Sequence, residues 1–170
     1  MRSLLFWLQL GMALAVGFLE PTVSPEGDRL RVPLETRGVL TDRMRDLLDH
    51  GLIITIKLDA SLKIEDAGGL TVRIYRQARR SLRFDALGKR YLMEEAGSIR
   101  DFSSLATLEA AARFFPILDF ELPQGWKSAS LYARLSLVDD EVLTGRLGIP
   151  ASTLWDGYNP TVLHEWKASK

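Results

Sequence analysis

The chain of 170 residues contains no cysteine, only two histidines and no excess of either charge. The lack of cysteine excludes disulfide frameworks, thiolate metal sites, cysteine nucleophiles and the lipidated cysteine of a bacterial lipoprotein. Basic and acidic residues each number 22, so the bulk charge gives no reason to expect nucleic-acid binding. Hydrophobic residues make up 46 % and charged residues 26 %, which indicates a folded chain rather than a disordered one.

Motifs of catalysis and metal binding are also scarce. His50 lies at the end of a predicted helix, where an imidazole commonly bonds a free backbone carbonyl, and His164 lies near the C-terminus. No His-x-His, His-Glu-x-x-His or Gly-x-Ser-x-Gly spacing occurs. The acidic cluster at 139–141 could bind calcium, or serve a hydrolase through Asp139 and Glu141, but a solvated turn explains it more simply. We therefore predict no enzymatic activity, no metal site and no cofactor.

The N-terminus carries an uncharged apolar segment, residues 3–19, directly after Arg2. A positive start, an apolar centre and the small-x-small pattern of Ala13-Leu14-Ala15 are typical of a secretory signal peptide. An uncleaved membrane anchor is the alternative, because the segment as a helix would reach about 25 Å, the short end of a membrane span. A buried N-terminal helix is a third alternative, but the segment lacks the polar face of a surface helix. Either of the first two interpretations places the domain outside the cytoplasm.

The clearest structural signal is a long hairpin in the middle of the chain. Residues 52–65 alternate between apolar and polar, which is typical of a strand with one dry and one wet face. Residues 66–69 predict a turn, and the alternation resumes at Leu70. It loosens between Arg76 and Ser81, where we expect a bulge or the end of the hairpin.

The other elements complete an α+β, β-rich domain. Further short strands are predicted at 30–34, 91–93, 117–122 and 129–137. Two short helices are predicted at 42–50, capped by Thr41, and at 105–114, capped by Ser103 or Ser104. The expected architecture is a twisted antiparallel sheet of about six strands with two short helices. A β-sandwich with inserted helices is the alternative.

Four segments make up the predicted domain organisation. A signal peptide or membrane anchor occupies 1–20, a proline-containing linker 21–27, a single β-rich domain 28–147 and a peripheral tail 148–170.

Three segments, taken in order, resemble a known bacterial family. They are LLDHGLIITIKLDASLKI, then RSLRFDALGKRYLM, then LYARLSLVDDEVL after a helix opened by DFSSLATLEAA. The order, and the spacing of Leu82, Phe84, Leu87 and Tyr91, is similar to the exported family catalogued as domain of unknown function 4390. In the tail only Trp155 is comparable with that family. The resemblance implies an N-terminal signal or anchor and no assigned activity, cofactor or catalytic residue. Some members are encoded near membrane sensor kinases, which suggests an inner-membrane protein as partner.

A cluster of basic residues follows the predicted turn of the hairpin. Its members are Arg73, Arg76, Arg79, Arg80, Arg83, Lys89 and Arg90. At a period of two, Arg73, Arg79 and Arg83 share one face of the sheet, with Lys57 and Lys63 of the preceding strand nearby. This stripe could contact anionic lipid headgroups or an acidic partner protein. The alternative is a charged outer face that Asp59, Glu65 and Asp85 balance.

Together these features predict an exported protein, periplasmic or tethered to the inner membrane, that works without catalysis. Binding to an envelope or inner-membrane protein, through an exposed sheet edge, or to the membrane surface is the expected role. The alternative is a carrier or sensor of an apolar ligand held in a groove between sheet and helix. Nucleic acid is not an expected partner, because an exported protein rarely meets it.

Overall fold

A computed structural model describes residues 16–138, 150–155 and 159–168. The strands are β1 (Gly17–Phe18), β2 (Arg29–Val32), β3 (Thr36–Arg37), β4 (Ile54–Asp66), β5 (Thr71–Asp85), β6 (Arg90–Glu95), β7 (Ser98–Phe102), β8 (Leu118–Glu121), β9 (Trp126–Leu137) and β10 (Thr161–Lys167). The helices are α1 (Asp42–Asp49), α2 (Leu105–Ala112) and a 3-10 helix at Ala151–Trp155.

Six strands form one antiparallel sheet in the order β10-β9-β4-β5-β6-β7. The predicted α+β fold, a six-stranded antiparallel sheet with two short α-helices, is confirmed. The inner face of this sheet is covered by α1, α2 and two small two-stranded sheets, β1–β3 and β2–β8, rather than by the second large sheet of a sandwich.

The core lies between the large sheet and this covering layer, because alternate residues of the central strands are apolar. On β4 the side chains of Ile56, Leu58 and Leu62 are fully buried, whereas Lys57 and Lys63 lie on the outer face. The partner strand β9 repeats the pattern with Leu131 and Leu135. Period-two alternation on adjacent strands therefore gives one dry face and one wet face, as the sequence predicts.

The strand β5 is continuous, so the bulge or hairpin end predicted between Arg76 and Ser81 is wrong. Every residue from Thr71 to Leu82 keeps its register with β4. The apolar pattern loosens there because arginines, not apolar residues, occupy the inner positions 76 and 80. A charged residue facing inward mimics a break in the alternation without breaking the strand.

Both helices begin where their local chemistry indicates, and α1 also ends there, whereas α2 ends at Ala112, two residues before the predicted end at 114. The hydroxyl of Thr41 accepts a hydrogen bond from the backbone N–H of Met44 and caps α1. Gly51, at a φ of 80°, follows the last turn of α1 in the left-handed conformation that glycine adopts without strain. Ser104 forms a capping box with Thr107 at the start of α2, which decides between the two predicted caps.

The last residues of the predicted signal or anchor, and the predicted linker, belong to the domain. Val16 is 6 % exposed, and β1 pairs with β3 through Gly17 and Phe18. Pro21 is buried, and Val23 packs against the core. A free linker at 21–27 is therefore wrong, since this segment finds apolar contacts on the domain. The earlier residues 3–15, with the Ala13–Ala15 pattern, lie outside the described residues.

The predicted peripheral tail contributes the edge strand β10. Residues 161–167 pair with β9 from Arg134 to Ser128, one residue against one. Trp155 and Trp166 are 3 % and 6 % exposed, and both belong to the core. The domain boundary predicted at 147 is therefore too early: two buried indoles hold the later chain on the sheet.

Within the described ranges, no helix is both long enough and apolar enough to cross a membrane.

Candidate functional site

The three arginines singled out by the sequence share the outer face of the sheet. Arg73 and Arg79 are exposed on β5, opposite Lys63 and Lys57 of β4, and Arg83 is exposed farther along. Lys57 pairs with Asp59 at 2.9 Å. In the part of the chain that the structure describes, none of the three arginines has an acidic group within 4.0 Å. The stripe therefore presents unpaired positive charge to solvent.

Next to this stripe the sheet has an open edge. Residues 80–85 of β5 pair with β6, and then β6 ends at Glu95 and turns away into β7. Over Thr71–Arg79, nine of the fifteen residues of β5, no described strand pairs with the second edge. Alternate backbone N–H and C=O groups of such a stretch face outward, and they form a template for another strand.

A groove runs along this open edge. We call it the edge groove; its volume is about 470 Å³, and it is lined by Arg76, Gln77, Ala78, Arg79, Glu95, Ala96, Pro116, Ile117, Leu118 and Asp119. One wall of the groove is β5. The opposite wall, which we call the far wall, consists of Glu95 and Ala96 at the β6–β7 turn and residues 116–119 at the start of β8. Ile117 is 62 % exposed on the far wall, so the groove combines apolar surface with the basic strand. An open strand edge beside a groove is the arrangement that peptide-binding domains use for strand addition.

Arg80 fixes the far wall from inside the core. Its guanidinium is fully buried and donates hydrogen bonds to Glu95 at 2.7 and 3.0 Å, to the carbonyl of Ala112 at 2.7 Å and to that of Phe114 at 2.6 Å. It also lies over the ring of Phe115, 4.4 Å from the ring centre. Burial lowers the pKa of Arg80, while the charge and hydrogen bonds of Glu95 act in the opposite direction. The side chain thus ties β5, β6 and the end of α2 together beside the groove.

Two acidic groups in the far wall are already paired. Glu95 is held by Arg80, and Asp119 lies 3.4 Å from Arg31 and 3.5 Å from Arg29. The partners of these two acidic groups lie behind the wall, on β2 and in the core. The lining itself is formally balanced, with Arg76 and Arg79 against Glu95 and Asp119, and the positive charge without an acidic partner among the described residues lies on the exposed arginines of β5.

Among the described side chains, neither histidine is hydrogen-bonded to a serine. His50 Nδ1 lies 2.7 Å from the carbonyl of Asp46 at the end of α1, where an imidazole–carbonyl bond is predicted, but this carbonyl is not free because it also accepts the backbone N–H of His50 at 3.1 Å. The imidazole–carbonyl bond raises the pKa of His50. The ring of His164 contacts that of Trp166 in a tilted arrangement, with ring centres 4.5 Å apart, and His164 Nδ1 lies 3.5 Å from Glu20. Among the described residues no three histidine or acidic side chains could hold a metal ion. The acidic cluster at 139–141, with Asp139 and Glu141, lies outside the described residues.

The layer between helices and sheet is filled with side chains. Met44 and Leu48 of α1 and Leu108 and Ala112 of α2 all have 0 % exposure, and they join the sheet in one apolar cluster. This packing favours a core over a ligand-binding groove at the place where the sequence allowed either.

The edge groove contains residues that sequence reasoning did not single out. Ile117 lay in a predicted strand and gave no signal of exposure. Arg76 and Arg80 stood in the basic cluster, but their even numbers place them on the inner side of β5, with Leu82. Parity separates them from Arg73, Arg79 and Arg83 on the outer side, but it does not show that Arg80 is buried. The open edge itself depends on where β6 ends, which only the pairing shows.

Comparison with known proteins adds no family to this description: no protein-family model and no curated protein matches the chain.

Proposed function

We propose that this chain is a non-enzymatic protein-binding module of the bacterial cell envelope, and that it binds an extended segment of a partner protein by strand addition to β5. The observation that carries the proposal is the open edge at Thr71–Arg79 beside the edge groove. Backbone hydrogen bonds to an added strand would supply affinity, and the groove would supply specificity. The added strand would lie end to end with β6 and complete the sheet.

The other edges of the sheet are less suited to this role. β7 is five residues long and therefore offers fewer backbone groups. Residues 20–23 pack beside β10: Glu20 lies 3.5 Å from His164, and the carbonyl of Val23 accepts a 2.7 Å hydrogen bond from Trp166 Nε1. Natural sheets commonly protect an edge by covering or shortening it, and among the described residues no strand covers the nine-residue stretch Thr71–Arg79 of β5.

Amide hydrogen exchange of the protein, measured with and without a bound peptide, tests the strand-addition proposal. A peptide selected on the folded protein from a displayed random library should slow amide exchange in Thr71–Arg79 and leave Ser98–Phe102 of β7 unchanged. Methylation of alternate backbone nitrogens of that peptide gives a matched pair. Methylation of the nitrogens that face β5 should abolish binding. Methylation of those that face solvent should leave binding nearly unchanged. The proposal would be contradicted if the peptide slowed amide exchange elsewhere in the protein and not in Thr71–Arg79. It would also be contradicted if both methylated peptides bound equally well.

Export by a cleaved signal peptide is the second part of the proposal. Because β1 begins at Gly17, the uncharged segment between Arg2 and the described domain is residues 3–15, and a helix of this length reaches about 20 Å. The hydrocarbon core of a bilayer is about 30 Å thick, so this length suits a signal peptide better than an anchor. Cleavage after Ala15 would leave the buried Val16 with the domain.

We expect the exported protein to begin at Val16, as intact-mass measurement of protein from the periplasmic fraction would show. Ala15→Leu should retain the precursor, since a signal peptidase needs a small residue before the cut. Met12→Leu, outside the small-x-small pattern, is the matched control and should be processed normally. Full-length mass for the exported wild type would count against a cleaved signal.

A further inference from the structure

We infer that the partner segment is an extended peptide in which acidic and apolar residues alternate. The inference rests on the proposed function, because it assigns side chains to a strand added at β5. Successive residues of such a strand point to opposite faces of the sheet. Its outer residues would lie beside Arg73 and Arg79, and its inner residues would lie over the edge groove.

On the outer face of the sheet, the added strand should carry negatively charged side chains. Arg73 and Arg79 are exposed, and each lies opposite a lysine of β4 rather than an acidic residue. A cross-strand pair of opposite charges stabilises two strands, while like charges directly opposite destabilise them. Aspartate or glutamate at the outer positions of the added strand would therefore neutralise charges that the described chain leaves unpaired.

The inner face calls for apolar side chains. Val72 is 42 % exposed and Ile74 is half-buried, although both lie on the side of β5 that forms the core farther along. Ile117, which lines the edge groove beside Arg76–Arg79, is 62 % exposed. A strand added along Thr71–Arg79 would cover Val72 and Ile74 near one end and reach the groove that contains Ile117 near the other, and burial of apolar surface contributes about 25 cal/mol for each Å² removed from water. Arg76 also points to this side, but its guanidinium is held over the ring of Phe120 at 5.6 Å.

A second copy of this chain would add more positive charge to the same edge. Two β5 edges paired about a two-fold axis would bring six arginines, three from each copy, onto one two-stranded ribbon. With the axis at Arg76, this arginine would lie opposite its own copy, and Arg73 would lie opposite Arg79. Such contacts between like charges oppose self-association and favour an acidic partner.

Binding of three defined peptides to the whole exported protein tests the inference. Each peptide is nine residues long, the length of the open stretch, and is capped and fluorescently labelled. In the first, glutamate alternates with valine; in the second, lysine alternates with valine; in the third, glutamate alternates with serine. Anisotropy should show the first binding at least about tenfold more tightly than either other peptide. Its affinity should fall when salt rises from about 0.05 to about 0.5 M.

Charge reversal on the protein supplies the matched variants. The double variant Arg73→Glu and Arg79→Glu should bind the glutamate–valine peptide about tenfold or more weakly than the wild type does. It should also gain affinity for the lysine–valine peptide. Arg134→Glu, on the outer face of β9 two strands away, should change neither affinity by more than about twofold.

The outcomes separate the inference from the proposed function. If an uncharged threonine–valine peptide binds as well as the glutamate–valine peptide, and protects Thr71–Arg79 from exchange, the partner chemistry is wrong and strand addition stands. If no peptide, including those selected from a library, protects this stretch, the proposed function itself fails.

Discussion

Arg80→Met should lower the free energy of unfolding by about 3–5 kcal/mol, because it removes one partner of a buried ion pair. The change leaves Glu95, whose side chain is 16 % exposed, without its cation, and leaves the carbonyls of Ala112 and Phe114 without their donor. Methionine has a similar length, so most of the packing on Phe115 is kept and lost polar contacts dominate. Urea unfolding followed by circular dichroism measures the effect, and the midpoint of thermal unfolding should fall by about 10 °C.

The neighbouring Arg79→Met is the matched control. It removes the same charge from the same strand, but its side chain is exposed and unpaired among the described residues, so stability should change by no more than about 0.5 kcal/mol. Arg80→Met combined with Glu95→Leu should recover part of the loss, since no carboxylate is then left without a partner. If Arg80→Met costs less than about 1 kcal/mol, the buried guanidinium does not hold the far wall of the edge groove.

On β5 the sequence predicts which arginines share a face but not which arginine is buried. Alternation of side chains between two faces is a local property, so the pattern places Arg73, Arg79 and Arg83 together without knowledge of the fold. The same parity puts Arg80 with Leu82 on the inner side. Average tendencies suggest that arginine stays in solvent. Its burial depends on Glu95 and on carbonyls after α2, which are distant in sequence and which no local pattern brings together.

The edge groove also depends on a turn that the sequence signals weakly. Ala96 and Gly97 connect β6 to β7 with φ values of 49° and 79°, and such positive values are expected for a two-residue hairpin turn. Asparagine or aspartate before glycine is the usual signal, and alanine pays a steric penalty there. The sequence therefore does not predict β7, although this turn ends β6 and leaves the edge of β5 open.

The N-terminal and C-terminal segments differ from their predicted roles for a common reason. Residues 21–27 and 148–170 are rich in turn-forming residues, and turn signals report local backbone conformation rather than attachment to a core. Single large side chains decide the attachment. Trp155 donates a 3.0 Å hydrogen bond from Nε1 to the carbonyl of Val39, and Trp166 donates one to Val23. Each indole buries apolar area and satisfies a backbone carbonyl at once.

Trp166→Ala should therefore destabilise the domain by about 3–5 kcal/mol, the usual cost of removing a large buried aromatic side chain. The side chain is 6 % exposed in the core, and its loss would leave a cavity at one edge of the sheet. Trp166→Phe keeps most of the apolar contact and loses the hydrogen bond to Val23, so it should cost about 1 kcal/mol. Leu163→Ala lies on the same strand with a side chain 67 % exposed, and it should change stability by no more than about 0.5 kcal/mol.

Urea unfolding of these three variants, followed by circular dichroism, also bears on where a partner binds. If Trp166→Ala lowers the free energy of unfolding no more than Leu163→Ala does, the segment 161–167 is the peripheral tail that the sequence predicts. In that case β10 does not protect the edge of the sheet. The outer edge of β9, which pairs with β10 from Ser128 to Arg134, would then be open as well and would compete with β5 for an added strand. With β10 held by Trp166, that competing edge is closed, and Thr71–Arg79 remains the longest open stretch among the described strands.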